Sequence, residues 1–342
     1  MKTVYSEDHR QHFPQGELSG GEFVTPFERP SRVEYILRRL KARGFEAPIG
    51  PDKLPMGPVR KIHDKGFLKF LETAWGEWRA AGFRGEIIPT GFPMRRMQQR
   101  VPRNIDGKAG YYTLATETAI TGGTWAAAKS SAAVALTAQK LVAGGESSAF
   151  ALCRPPGHHA ATDMYGGYCF LNNASIAAQA FLDQGASRVA ILDVDFHHGN
   201  GTQDIFYRRK DVLFLSLHGQ PEDAYPYFLG YADETGEGEG AGFNVNYPMA
   251  PGAKYEKWGK ALEDACRKVK RYGPDALVVS LGVDTFKKDP ISFFKLDSED
   301  FTTYGARIAK LKLPTLFVME GGYAVEEIGI NTVNVLEGFL GA

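Results

Sequence analysis

Six short runs rich in β-branched and aromatic residues, at 3–5, 148–153, 189–194, 212–217, 276–281 and 315–319, constrain the fold of this chain more than any other feature. Within most of them apolar side chains follow one another almost without interruption. Strands of that kind must be covered on both faces, as in a parallel sheet wrapped by helices. The stretches between supply those helices, with apolar residues at helical spacing over about 118–142, 174–182, 257–271 and 300–311. A further helix is expected to open at Ser31, with Glu34 three residues on in a capping-box pattern, and to stop at Gly44. Strands alternating with helices predict a doubly wound α/β fold, a mostly parallel sheet of about eight strands with helices on both faces. With 342 residues, no internal repeat and no low-complexity linker, one domain spanning 1–342 is expected.

Residues 81–111 break the pattern. They read as a long inserted loop, and loops of that length in compact domains are functional or disordered. Ile87, Ile88, Phe92, Met94 and Met97 are interleaved there with Arg95, Arg96 and Arg100, a composition suited to a protein interface. A homodimer through this loop is therefore expected. A second irregular stretch, 230–242, is glycine-rich and acidic and reads as a surface loop. Lys+Arg and Asp+Glu both total 40, and no basic stripe stands out, which argues against a nucleic-acid partner. No apolar stretch reaches the ~18 residues a membrane span needs, and the N-terminus has no signal core. Cys153, Cys169 and Cys266 form no close pair and read as reduced core residues of a cytoplasmic protein.

Five of the eight histidines fall between 158 and 218, a crowding that asks for a metal or acid–base explanation. In ILDVDFHHGNG, residues 191–201, a hydrophobic strand delivers Asp193, Asp195 and His197 at alternate positions, so all three are expected to project to one side. Carboxylates ending an apolar strand are costly to bury unless paired or bound to metal, and open α/β sheets bind ligands at such ends. A lone D-x-H is more often a helix cap beside a core histidine; Asp193, His198 and the GNG turn reverse that balance here. In LVVSLGVDTFKKDP, residues 277–290, Asp284 follows another strand after a glycine. Alone it reads as a turn aspartate; with Asp195 and His197 it makes an O,N,O set with open positions, compatible with zinc, ferrous iron or cobalt. RPPGHHA, residues 154–160, presents His158 and His159 after a strand. Two imidazoles can share the base and acid work of amide hydrolysis, with Asp193 and Asn200 as orienting partners; tandem histidines after a proline turn are otherwise surface residues. In FVMEGGYAVEEIG, residues 317–329, Tyr323 stands where a phenol could donate to a developing oxyanion, although a lone GGY is weak.

Together RPPGHH, GGYCFLNNA, LDVDFHHGNGTQDIFY, LFLSLHG, SLGVDT and MEGGY resemble the histone-deacetylase-like family of amidohydrolases, in order from about residue 110 to 325. The opening segment and the 81–111 loop look like the bacterial acetylpolyamine amidohydrolase branch. The resemblance implies one zinc on Asp195, His197 and Asp284, with Tyr323 at the oxyanion and His159 as base and then acid. His158, paired with Asp193, would stay charged. It also implies structural potassium or sodium at two positions. One is framed by Asp193, Asp195, His197, Ser216 and Leu217, the other by the carbonyls of Phe206, Arg209, Val212 and Phe243. Tyr168, with Gly167 beside it, and Tyr225 would wall a tunnel for the acetylated amine. The substrate expected is a small, cationic, acetylated polyamine. Its ammonium groups call for carboxylates away from the metal, for which Glu17, Asp106 and Glu117 are the candidates; each also reads as a plain surface acid or, for Glu117, a helix N-terminal charge.

Two departures bear on this. Asn200 stands where many eukaryotic members have aspartate, and Tyr112 aligns with an acidic residue that grips the substrate backbone in lysine deacetylases. The latter weighs against a protein substrate. Alternatives are a protein acetyl-lysine deacetylase, a non-catalytic scaffold that keeps the fold, and a dimanganese ureohydrolase. The ureohydrolase needs bridging carboxylates where this chain has Gly199, Gly282 and Phe286.

Overall fold

The computed structural model describes residues 1–342. Seven strands form the main sheet: β1 (Lys2–Val4), β4 (Ser148–Ala151), β5 (Val189–Asp193), β6 (Val212–Gly219), β7 (Asn244–Met249), β8 (Ala276–Leu281) and β9 (Thr315–Met319). Their order across the sheet is β1-β4-β9-β8-β5-β6-β7, and every pairing is parallel. A separate antiparallel ribbon joins β2 (Glu17–Ser19) to β3 (Glu22–Val24). The outer strand β7, NVNYPM, escapes a hydrophobicity reading because it mixes polar residues with a proline, which is tolerated at a sheet edge.

Successive strand residues feed two separate cores. Ala149 and Ala151, Val189 and Ile191, and Leu316 and Val318 point to one face. Phe150, Ala190, Leu192, Phe317 and Met319 point to the other. The first face is covered by α2 (Met56–Ile62), α3 (Lys65–Ala80), α4 (Ile105–Tyr111), α5 (Thr124–Ala143), α6 (Asn173–Asp183) and the short α7 (Asn200–Phe206). The second is covered by α1 (Ser31–Ala42), α8 (Tyr255–Tyr272), α9 (Ser298–Ala309) and α10 (Glu327–Leu340). On α8 the buried set Trp258, Leu262, Ala265, Cys266 and Val269 keeps the three-and-four spacing of one helical stripe. The near-continuous apolar runs of the strands are thus explained by burial on both sides.

Three local expectations need correction. The first helix does open at Ser31, but Pro30, with φ −54° and ψ −33°, occupies the cap position, so Ser31 lies in the first turn and is not the cap. Ser31 makes no capping bond, and Glu34 instead accepts from Arg10. The capping box occurs at Asp297 and Asp300, ahead of α9. The 81–111 segment is not loop throughout: Asn104 caps α4, which takes its last seven residues. Within it Ile87 is wholly buried and bridged to Ile120, making it a core residue of its own chain and not an interface residue.

The topology fixes where chemistry can sit. From β5 the chain moves outward to β6, and from β8 it moves the opposite way to β9, although β5 and β8 are neighbours. The loops after these two strands diverge and leave a crevice at their carboxyl ends, the switch point at which open α/β sheets bind ligands.

Candidate active site

The crevice is filled by the residues the motifs single out. The strand β5 ends at Asp193, so Asp195 and His197 do not lie on it as expected; they occupy the tight turn that follows. That turn is held by its own carboxylates, with Asp193 Oδ1 accepting the Asp195 N–H at 3.1 Å and Asp195 Oδ1 the His197 N–H at 2.9 Å. Asp284, past the end of β8, accepts the Phe196 N–H at 2.7 Å and so ties the two strand ends together. Gly321, past β9, donates to Asp195 Oδ2 at 2.8 Å. A Cβ at Gly282 or at Gly321 would overlap the Asp195 carboxylate, so glycine is what lets three strand ends close on it.

Asp195, His197 and Asp284 bring their ligand atoms within 4.8 Å of one another, all buried. His197 Nδ1 lies 2.9 Å from Asp284 Oδ2 and 3.3 Å from Asp195 Oδ1. Burial, reinforced by the neighbouring Asp195 charge, pushes the Asp284 carboxyl above the usual carboxylate range. Two carboxylates crowded on one imidazole in a dry pocket are short of positive charge, the condition a divalent cation relieves. The donor set fits such an ion. It does not fit two bridged by carboxylates, because a side chain at 282 has no room beside Asp195.

His158 and His159 lie on the turn after β4, their rings 4.1 Å apart, with environments that separate them. His158 Nδ1 donates to Asp193 Oδ2 at 3.0 Å. Burial opposes its charge, but Asp195 and Asp193 outweigh that and hold the imidazole up to about 10. His159 Nδ1 lies 2.6 Å from Asn200 Oδ1, which places the proton on Nδ1 and leaves Nε2 free. Burial, then the His158 and His197 charges, push His159 well below the ordinary histidine range.

A cavity of about 320 Å³ opens over these groups, lined by His159, His197 and Tyr323 and walled by Gly167, Tyr168, Tyr225, Phe196 and Phe293. Gly167 sits where a Cβ would run into the His159 ring. Tyr168 packs 5.7 Å from Tyr323 and Tyr225 packs 5.1 Å from His159, ring to ring. Glu17 and Glu117 also reach the cavity. Glu17 accepts from the Tyr168 hydroxyl at 2.9 Å, and burial pushes its carboxyl up to about 7. Asp106 is not among the lining residues; it lies in the first turn of α4 and accepts from Thr90. Tyr112 is no rim residue either, being buried with its ring stacked on Phe70. A larger groove of about 1110 Å³ near α2, α3 and α5 is edged by surface lysines and lacks these converging acid–base groups.

At the positions expected for monovalent cations, the β5–β6 register sets Asp193 opposite Ser216, the Phe206 carbonyl accepts from Arg209, and the Phe243 carbonyl accepts from Phe214 of β6. Sequence reasoning missed Phe293, Ile291, Tyr227 and Arg32. Arg32 is buried and donates to the carbonyls of Glu320 at 2.6 Å and Gly322 at 2.7 Å, with its guanidinium 4.8 Å from the centre of the Tyr323 ring. Glu28 bridges it to Arg154, and these cations outweigh burial to hold Glu28 down to about 2. Nothing local signals this, since Arg32 is 290 residues from Gly322. Phe196, inside the DVDFHH run, was within reach of the motif reading.

Residues 26–339 match the histone deacetylase domain model. The chain is 57% identical over 341 residues to the acetylpolyamine amidohydrolase of Mycoplana ramosa, covering 100% of both. It is 58% identical over 341 residues to acetylpolyamine amidohydrolase 2 of Pseudomonas aeruginosa, covering 100% of this chain and 99% of that one. The crystal structure of the acetylpolyamine aminohydrolase from Burkholderia pseudomallei aligns with a TM-score of 0.94 at 40% identity, over 99% of this chain and 98% of that one.

Proposed function

The chain belongs to the histone deacetylase domain family, and from that membership and the site geometry we propose that it hydrolyses the acetyl amide of small acetylated polyamines. One observation carries the reading: a cavity that joins the Asp195–His197–Asp284 cluster, His159 and Tyr323 to two acidic side chains, Glu17 and Glu117. The first set suits amide hydrolysis. The second suits a substrate with ammonium groups a few ångströms from its amide, and the named relatives are acetylpolyamine amidohydrolases.

Asp195, His197 and Asp284 would hold one divalent ion, zinc being the usual choice for three protein ligands with an open position; ferrous iron or cobalt also suit the donors. Bound there, such an ion polarises the acetyl carbonyl and acidifies the attacking water. His159 takes the water's proton on Nε2, the nitrogen its bond to Asn200 leaves free. It then returns that proton to the departing amine, so acetate and a free ammonium leave. Tyr323 donates to the oxyanion that forms on the former carbonyl oxygen. His158, fixed by Asp193, keeps its positive charge beside the developing negative one. Tyr168, Gly167 and Tyr225 wall the chain of the substrate, and potassium or sodium at the positions framed by Ser216 and Leu217 and by Phe206, Arg209, Val212 and Phe243 would brace the loops behind the ligands.

A homodimer through the long loop belongs to the same reading. Phe92, Met94, Met97 and Val101 expose 49 to 73% of their surface, and Arg95 lies over the exposed Phe228 ring at 5.4 Å. Such residues are those enriched in protein interfaces, and a partner covering them would narrow the cavity mouth and give Asp106 a substrate to face. A cytoplasmic location suits three free, buried cysteines. No helix is long and apolar enough to cross a membrane.

The test compares turnover of acetylputrescine with that of an acetyl-lysine peptide, before and after chelation. Polyamine turnover that exceeds peptide turnover and is abolished by chelation is expected, with one divalent ion per chain by elemental analysis. Faster peptide turnover would sink the substrate assignment, and two essential ions per chain the mechanism.

A further inference from the structure

One buried carboxylate beside the site has no part in the reaction described above. Glu320 follows the last residue of β9, and its neighbour β4 leads into the turn that carries His158 and His159. The side chain is wholly buried. Its Oε2 accepts two successive backbone N–H groups of that turn, from Gly157 at 2.6 Å and His158 at 3.1 Å. Its Oε1 is buried without a hydrogen-bond partner. Its own carbonyl accepts from Arg32 at 2.6 Å, so the residue is gripped on one side while it grips the histidine turn on the other.

The energetics of this arrangement are unfavourable taken alone. Burial, with repulsion from Asp193 and Asp195, pushes the carboxyl above its usual range against the pull of the charged His158, and no cationic side chain is hydrogen-bonded to it. Burying a carboxylate so poorly compensated costs several kcal/mol. An apolar side chain would fill the space more cheaply, so packing does not account for an acid here. What a leucine could not do is accept the two amides. Gly157 has no Cβ to hold its peptide off; a Cβ there would run into the Asn173 amide. The peptide is therefore clamped between residue 173 and the Glu320 oxygen. Metal ligation is a poorer use of the group. Cys169, His158 and Glu320 do lie within 4.8 Å of one another, but His158 is committed to Asp193 and the Cys169 thiol to the Gly167 carbonyl.

We propose that Glu320 is a positioning residue: by accepting the Gly157 and His158 amides it fixes the turn that aims both imidazoles, and it does so through its oxygen rather than its charge. The inference rests on the hydrolytic reading above, in which His159 and His158 act on the amide. Glutamine keeps an acceptor oxygen at this place and leucine keeps only the volume, so the two variants separate acceptance from packing.

The experiment uses full-length, zinc-loaded Glu320→Gln and Glu320→Leu with acetylputrescine as substrate. In the same samples the proton of the His158–Asp193 hydrogen bond is followed as a downfield NMR resonance. Glu320→Gln is expected to keep kcat within about threefold, and Glu320→Leu to lose roughly 100-fold in kcat at little-changed KM, the size of a ~1 Å misplacement of a reacting group. Zinc content should stay at wild-type level in both, and the downfield resonance should move or broaden only in the leucine variant. An unshifted resonance and near-normal kcat in Glu320→Leu would overturn the proposal. So would an equal loss in Glu320→Gln, which would make charge the cause. Should the leucine variant fail to fold, Glu320→Gln decides alone: retained kcat supports the acceptor, and a large loss with zinc intact refutes it. The resonance reports on the turn whatever the substrate, so an unreactive wild-type enzyme would refute the hydrolytic reading without touching the clamp.

Discussion

The floor of the cavity and the long loop at residues 91–101 are built on opposite principles. On the floor the carboxylates and imidazoles are held by crossed hydrogen bonds within the chain. Asp195 takes amides from His197 and Gly321, Asp284 takes one from Phe196, and His159 takes its orientation from Asn200. The loop's side-chain bonds are mostly to itself, as when Gln99 donates to the Met94 and Met97 carbonyls, and residues 91–101 are all exposed. Bond-breaking demands angstrom placement, which burial and crossed hydrogen bonds supply. Selecting a slim substrate over a bulky one demands only that something stand in the way. The floor should therefore tolerate no change, and the loop should tolerate many at the expense of discrimination alone.

The largest effects belong to the floor. His159→Ala and Tyr323→Phe should each lower kcat by roughly 10²–10⁴-fold with KM little changed, the usual loss for a general base or an oxyanion donor. Steady-state kinetics on metal-replete protein checks this, and near-normal turnover in either variant would remove that residue from the chemistry.

The wall lies between the two extremes. Glu17→Gln should raise KM for acetylputrescine about tenfold, a loss near 1.4 kcal/mol, while kcat holds. Burial holds this carboxyl at about 7, so its charge, and with it affinity for a cation, grows as pH rises through 7. KM should fall from pH 6 to pH 8 in the native enzyme and lose that slope in the variant. The same displacement acts against folding. Because the folded carboxyl titrates above its unfolded value, Glu17 costs no stability at pH 4, and a growing amount as pH rises toward 7. A KM that is flat across that range would place the ammonium elsewhere.

The smallest effect on the fold, and the most telling for the comparison, comes from the loop. Excision of 92–101 with a short glycine linker leaves buried Ile87 and its bridge to Ile120 in place. The melting temperature should hardly move, since exposed residues away from special features contribute little. The product should be monomeric by light scattering, with peptide turnover gaining severalfold on polyamine turnover. A dimeric excision variant, or an unchanged ratio, would show that the loop is not the gate.

The same division decides what could be read from the sequence. Burial on both faces forces apolar runs, so strands such as 276–281 and 315–319 declare themselves, and chemistry at strand ends leaves D-x-D-x-H and GHH as compact marks. The capping box at Ser31 failed because Pro30, which has no side-chain acceptor, holds the cap position and leaves Ser31 inside the first turn. The edge strand β7 was invisible because an edge needs no apolar run. Arg32 and Glu320 could not be assigned, since each acts on backbone far away in sequence and no local pattern records which amide or carbonyl it will meet. Asp106 and Tyr112 show the converse: a residue in a plausible stretch, placed by the fold elsewhere.

The strand order also shapes how the molecule is made. The strand β9 is the last to leave the ribosome, yet its place is between β4 and β8, near the middle of the sheet. Without it the sheet can pair only as two blocks, β1-β4 and β8-β5-β6-β7, each lacking its inner partner. At roughly 5–20 residues per second, the β8 edge waits for seconds while residues 282–314 emerge, and the β4 edge, finished at Ala151, waits longer. The chain thus acquires activity and closes its most adhesive surface in one step, because the strand that fills the gap also delivers Glu320, Gly321 and Tyr323. A truncated product has neither.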